Sequence, residues 1–160
     1  MAEKLTHLDE AGHARMVDVG AKAATAREAT AGGRVRMSRA AFELAVSGAA
    51  PKGDIRVVAE VAGVMAGKRT SELIPLCHPL ALSSLTVQVA PDDADACFVV
   101  TARARTTGPT GVEMEALTAV STACLTIFDM LKAVDREMII EDIKVLTKSG
   151  GASGDFVRQS

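Results

Sequence analysis

Tryptophan and tyrosine are missing from this chain, and phenylalanine occurs four times in 160 residues. Without aromatic platforms for bases to stack on, a single-strand nucleic-acid binder is hard to build. A net charge of −2 supplies no basic field to recruit nucleic acid either. Cysteine is scarce: Cys77, Cys97 and Cys124 are odd in number and lack any C-x-x-C spacing. That pattern speaks against both a disulfide framework and a structural zinc site, and it fits a reducing cytoplasm. Neither a Walker loop nor a flavin, nicotinamide or metal-hydrolase motif occurs, so no metal and no organic cofactor is expected. No run is read as long enough to cross a bilayer, so no membrane partner is expected. The opening MAEKLTHLDEAGHARM mixes acids with bases around no apolar segment, and it reads as a mobile arm rather than a signal peptide.

What the chain does have is apolar helix. Hydrophobic residues make up 48%, enough for a self-sufficient core. The expected organisation is an arm over 1–14, a single domain over 15–156 and a short tail over 157–160. The stretch from Gly111 to Asp135 dominates it. Val112, Ala116, Ala119, Val120, Ala123, Ile127, Met130 and Leu131 recur at three- and four-residue steps, which predicts a helix with a buried side. Leu117, Cys124, Leu125 and Val134 widen the apolar surface until little of the circumference is left for water. Glu113 and Glu115 fall in the first turn, where the helix dipole favours acids. Asp129 and Lys132 are neighbours at i, i+3, ordinarily a surface ion pair, but on so apolar a helix they are expected to look into a cleft or an interface. At 1.5 Å per residue, Glu115 and Asp129 lie about 21 Å apart along the axis. For both ends to serve one ligand, a second copy must bring the opposite end of its own helix alongside, in a two-fold antiparallel contact.

In chain order, Arg15–Val19 reads as a short strand, and Arg27 to Arg36 as extended chain with a turn at Gly32-Gly33. Ser38 is a suitable N-cap for a short helix ending at Gly48, and Asp54 for a longer one with Ile55, Val58, Ala62 and Met65 on one face. Pro75 and Pro79 stiffen a loop that holds Cys77 and His78. Two strand patterns joined by the acidic PDDAD form a hairpin, whose aspartates read as a solvated turn. A last strand leads into KSGGASGD, which either lies along phosphates or frays. The order strand, helix, strand, strand, helix, strand is that of an α+β ferredoxin-like sandwich, with helices on one face of an antiparallel sheet.

Lys52, Lys68, Arg69, Arg103, Arg105, Lys132 and Lys148 stand against Glu113, Glu115, Asp129 and His78. Many cations with a few proton-exchanging groups suit a small polyanionic substrate. A non-catalytic nucleotide-binding module or a purely structural oligomerisation domain is open on the same residues. The segments MVDVGAKAATAREATAGGRVRMS, PKGD, AGVMAGKRTSELIPLCHPL, TTGPTGVEMEALTAVSTACLTIFDMLKAVD and KSGGASGDF resemble the cyclic pyranopterin monophosphate synthase family, molybdenum cofactor biosynthesis protein C, from about Leu5 to Phe156. The resemblance implies a ferredoxin-like fold, a homohexamer built as a trimer of dimers with sites at the dimer interface, and a lyase. Its small-molecule substrate would be a 3′,8-cyclised dihydro-GTP, rearranged with release of pyrophosphate. It also implies a catalytic pair at Asp129 and Lys132. Substrate contacts are implied at Leu76, Cys77, His78, Glu113, Met114 and Glu115, and phosphate-facing cations at Lys52, Lys68, Arg27 and Lys148. One departure from the family pattern is Ala152, where the glycine-rich tail commonly carries lysine.

Overall fold

The computed structural model describes residues 13–48, 53–152 and 154–159. Five strands, β1 (Thr25–Arg36), β2 (Leu82–Asp92), β3 (Cys97–Gly108), β4 (Ile139–Ser149) and β5 (Phe156–Val157), form one antiparallel sheet in the order β2-β3-β1-β4-β5. The helices are α1 (Arg39–Val46), α2 (Ile55–Gly67), α3 (Thr70–Leu73) and α4 (Glu113–Leu131). Helices α2 and α4 pack on each other and on the sheet, in an α+β, ferredoxin-like sandwich.

Alternation along β3 explains why the sheet has one covered face. Phe98, Val100, Ala102, Ala104 and Thr106 point inward and are buried, while Arg103 and Arg105 point outward and share the carboxylate of Glu28 on β1. Those two guanidiniums hold the Glu28 carboxyl below its ordinary range. On the covered side lies α4, with Val120, Ile127 and Leu131 buried and its N-cap Val112 buried with them, each worth about 1.5–3 kcal/mol relative to exposure.

Several expectations need correction. Arg15–Val19 is not a strand; Ala14 makes an isolated bridge and the rest is irregular. Gly32-Gly33 is not a turn either, because β1 runs unbroken through it. A Cβ on Gly33 would lie 2.7 Å from Val120 Cγ1, so the glycine is there to let α4 approach the strand. On α2 the buried residues are Ile55, Ala59, Gly63 and Gly67, whereas Val58 and Met65 are exposed. The i, i+4 stripe of small residues wins over the larger ones because it lets the α2 main chain rest on α4, where Gly63 meets the Ala119 carbonyl and Gly67 the Glu115 carbonyl. Since rising α2 numbers meet falling α4 numbers, the two helices are antiparallel. Leu125 is 60% exposed, so α4 is not apolar all round to a purpose within one chain.

The acidic hairpin is not merely solvated: Asp92 and Asp95 accept from Arg34, and Asp93 accepts from Arg39. The described residues of KSGGASGD do not fray. Gly150 and Gly151 take positive φ, and the chain turns back so that Phe156 pairs with Lys148 and Val157 with Thr147. Finally, α4 at 19 residues is long and apolar enough to cross a membrane, contrary to expectation, but half of it is buried inside the protein, as in a core helix.

Gly63→Ala pits two effects against each other. Alanine favours helix by about 1 kcal/mol, but its methyl would sit 2.8 Å from the Ala119 carbonyl oxygen, a main-chain atom that cannot swing aside. Overpacking of that kind costs about 1–3 kcal/mol, so urea unfolding should show a net loss of stability. A variant as stable as wild type would mean the helices are not held this closely.

Candidate functional site

Three pieces of chain converge beside the N-terminus of α4. Pro75 and Pro79 keep the loop after α3 out of helix. The Cys77 N–H donates to the Ile74 carbonyl at 3.1 Å, and the buried Thr106 hydroxyl of β3 donates to the Ala81 carbonyl at 2.7 Å, anchoring the loop at both ends. Opposite it, Gly111 leads into α4, whose first turn carries Glu113, Met114 and Glu115. The irregular segment before β1 closes the third side with Val17, Val19 and Lys22.

A cavity of about 290 Å³ lies between them. Leu76, Cys77, His78, Glu113, Met114 and Glu115 all line it, so two segments far apart in sequence meet around one space. A wider cavity of about 670 Å³ continues from it, sharing Lys22, Thr110, Gly111 and Glu113, and adds Arg27, Lys148, Gly150, Gly151 and Ala152. Ala152 therefore lines the site at the position where the family pattern has lysine.

The two parts differ electrostatically. In the smaller cavity Glu115 is 5% exposed, and burial pushes its carboxyl above the usual range. The neighbouring charge of Glu113 adds to that, against a main-chain hydrogen bond that pulls the other way. Burial, and then the Glu115 charge, push the Cys77 thiol up as well. Both effects favour the neutral thiol over the more nucleophilic thiolate. In the larger cavity the glycine turn passes close to Arg27, whose Nε donates to the Gly108 carbonyl at 3.0 Å and whose second nitrogen donates to Pro109 at 3.1 Å. Arg27 thus ties β1 to the loop that enters α4, besides adding a positive charge. Lys22 lines both cavities and was not expected; an isolated lysine between small residues carries no signal in sequence.

Other candidates lie elsewhere. Asp129 and Lys132 are at the far end of α4, paired at 2.6 Å with both side chains more than half exposed. They line neither cavity, and about 21 Å of helix separates Asp129 from Glu115. Lys68 is the C-cap of α2, at the end that abuts Glu115, but lines neither cavity. Arg69 pairs with Glu72, and Arg103 and Arg105 are spoken for by Glu28. Lys52 lies outside the described residues. Among the described residues no group of three His, Cys, Asp or Glu side chains is arranged to hold a metal.

The raised Glu115 carboxyl has a thermodynamic signature. Its proton is held more tightly in the folded state, so the stability it contributes is present below the ordinary carboxylate pKa and is lost as pH rises through the folded value. Glu115→Gln should therefore gain on wild type in thermal melts between about pH 4 and about pH 7. A constant difference across that range would show that Glu115 ionises in the folded protein as it does in the unfolded one.

The MoaC family model matches residues 16–151. The cyclic pyranopterin monophosphate synthase of Chloroflexus aggregans is 60% identical over 157 residues, covering 98% of this chain and 95% of that protein. That of Chloroflexus aurantiacus is 60% identical over 155 residues, with 97% and 95% covered. The protein of the same name from Pelotomaculum thermopropionicum is 58% identical over 155 residues, with 97% and 91% covered. With a family model matching most of the chain and near-complete coverage from both sides, this chain belongs to the MoaC family.

Proposed function

We propose that this protein is a cyclic pyranopterin monophosphate synthase. It converts (8S)-3′,8-cyclo-7,8-dihydroguanosine 5′-triphosphate to cyclic pyranopterin monophosphate and pyrophosphate, in molybdenum cofactor biosynthesis. The observation that carries this reading is the joined pair of cavities: a smaller pocket lined by acids and an imidazole, continuous with a trough lined by Arg27, Lys148 and Lys22. The pocket suits the guanine-derived rings and the trough a triphosphate, since cations stabilise the charge that develops on a leaving pyrophosphate.

Chemistry on the ring needs proton transfer while the five-membered ring opens and the pyrazine ring closes. Asp129 and Lys132 take that role, each as donor or acceptor to the other or to the substrate. A ribose-derived hydroxyl then attacks the α-phosphate, the bond to the β-phosphate breaks, and pyrophosphate departs against Arg27, Lys148, Lys52 and Lys68. Because one copy keeps Asp129 about 21 Å from Glu115, the pair comes from a neighbour.

The outer face of the helix layer supports such a neighbour. Val57, Val58, Val61 and Met65 on α2 and Leu125 on α4 are all exposed, apolar surface on the two packed helices that a partner could cover. A second copy laid across it by a two-fold axis, with its α4 antiparallel, buries that surface and sets its Asp129 and Lys132 beside Glu113 and His78. Three such dimers make the hexamer. Its residence is the reducing cytoplasm, consistent with three cysteines that all remain free.

Subunit mixing tests both parts of this reading. Glu113→Ala and Asp129→Asn should each abolish pyrophosphate release from the cyclised GTP substrate. Dissociated and reassembled in equal amounts, they should recover about a quarter of wild-type turnover. Half of the dimers are then mixed, and each mixed dimer has one intact site of two. Recovery of nothing would place both residues in the same copy's site, and turnover by Asp129→Asn on its own would put the pair outside the mechanism.

A further inference from the structure

Residues 14–22 cross the mouth of the smaller cavity without joining a helix or a long strand. Val17 and Val19 are half-buried and line the cavity, while Met16, Asp18 and Gly20 on either side of them are exposed. The segment therefore lies across the opening as a strap with one apolar edge inward. Its end is shaped by two hydrogen bonds: the Gly20 N–H donates to the Asp18 carboxylate at 2.9 Å, and the Lys22 N–H to the Val19 carbonyl at 3.0 Å. That turn delivers Lys22 to the junction of the two cavities.

On the opposite wall, His78 Nε2 meets the Val17 carbonyl oxygen at 2.8 Å. A carbonyl only accepts, so this nitrogen carries the hydrogen and, in the neutral ring, Nδ1 keeps the lone pair. We propose that His78 is the latch of this strap: its Nε2–H holds the Val17 carbonyl, seating Lys22 against the substrate's phosphates and committing Nδ1 to the role of acceptor. With respect to Lys22, His78 is a positioning residue. The phosphate half of this proposal rests on the substrate named above; the latch does not. Two half-buried valine side chains, the His78 hydrogen bond and the isolated bridge at Ala14 make a weakly held segment, one that opens at far less cost than the sheet beneath it.

Glutamine places its amide nitrogen near the position of Nε2 and asparagine near that of Nδ1, so His78→Gln can keep the bond and His78→Asn cannot. Trypsin reads the strap directly on the full-length protein, because the Lys22-Ala23 bond lies in it. Cleavage there should be alike in wild type and His78→Gln. It should be about fivefold faster in His78→Asn, the change in opening expected for one lost hydrogen bond. Cleavage after Arg103, in β3, a strand paired on both sides, reports global unfolding, and the ratio of the two rates removes any general loss of stability. With the cyclised GTP substrate, KM should rise more in His78→Asn than in His78→Gln. Equal ratios in all three proteins, or a glutamine variant cut as fast as the asparagine one, would overturn the latch. Release of no pyrophosphate by wild type would overturn the substrate assignment, and the proteolysis would still decide the latch.

Discussion

The closeness of α4 to its neighbours sets the rest of this structure. Gly33 of β1 and Gly63 and Gly67 of α2 present main chain where other residues would present side chains. Helix α4 answers with Ala116, Ala119, Val120 and Ala123, all fully buried. Backbone resting on backbone leaves little room for the helix to slide or rotate, because interiors are packed as tightly as crystals. The direction of Glu113, Met114 and Glu115 at one end, and of Asp129 and Lys132 at the other, follows from that single constraint.

Held this way, α4 is a spacer as much as a core element. Its first turn enters a pocket with a buried acid, and its last turn offers an acid-base pair to the outside. Charge at the pocket end is managed by burial, which favours the protonated Glu115, whereas the trough manages it by Lys22, Arg27 and Lys148. A rigid rod with unlike chemistry at its two ends suits a site assembled from two copies.

Much of the fold was readable because it rests on period and punctuation. The β3 alternation, the Ser38 and Asp54 caps and the 3.6-residue repeat of α4 are local patterns, and each appears in the structure where the residues place it. Failures came where a distant partner decides. Gly32-Gly33 looks like a turn until Val120 is known to press on it, and the α2 face looks like its largest residues until Ala119 is known to need the smallest. The PDDAD aspartates look solvated until Arg34 and Arg39 arrive from other elements. At the site, the motif residues of the loop and of the first α4 turn meet around one cavity. Lys22 was invisible because its position depends on a turn and on the carbonyl of Val17, neither of which leaves a mark in side-chain chemistry.

Strand β1 sits at the middle of the sheet, paired to β3 and β4, and its third residue is Arg27, the arginine that grips the loop leading into α4. Heat therefore cannot loosen the trough while sparing the scaffold: pocket floor and central strand melt as one cooperative unit. The N-terminal strap is exempt from that bond, so the protein combines a floor as durable as its whole fold with a cover that comes and goes on its own clock.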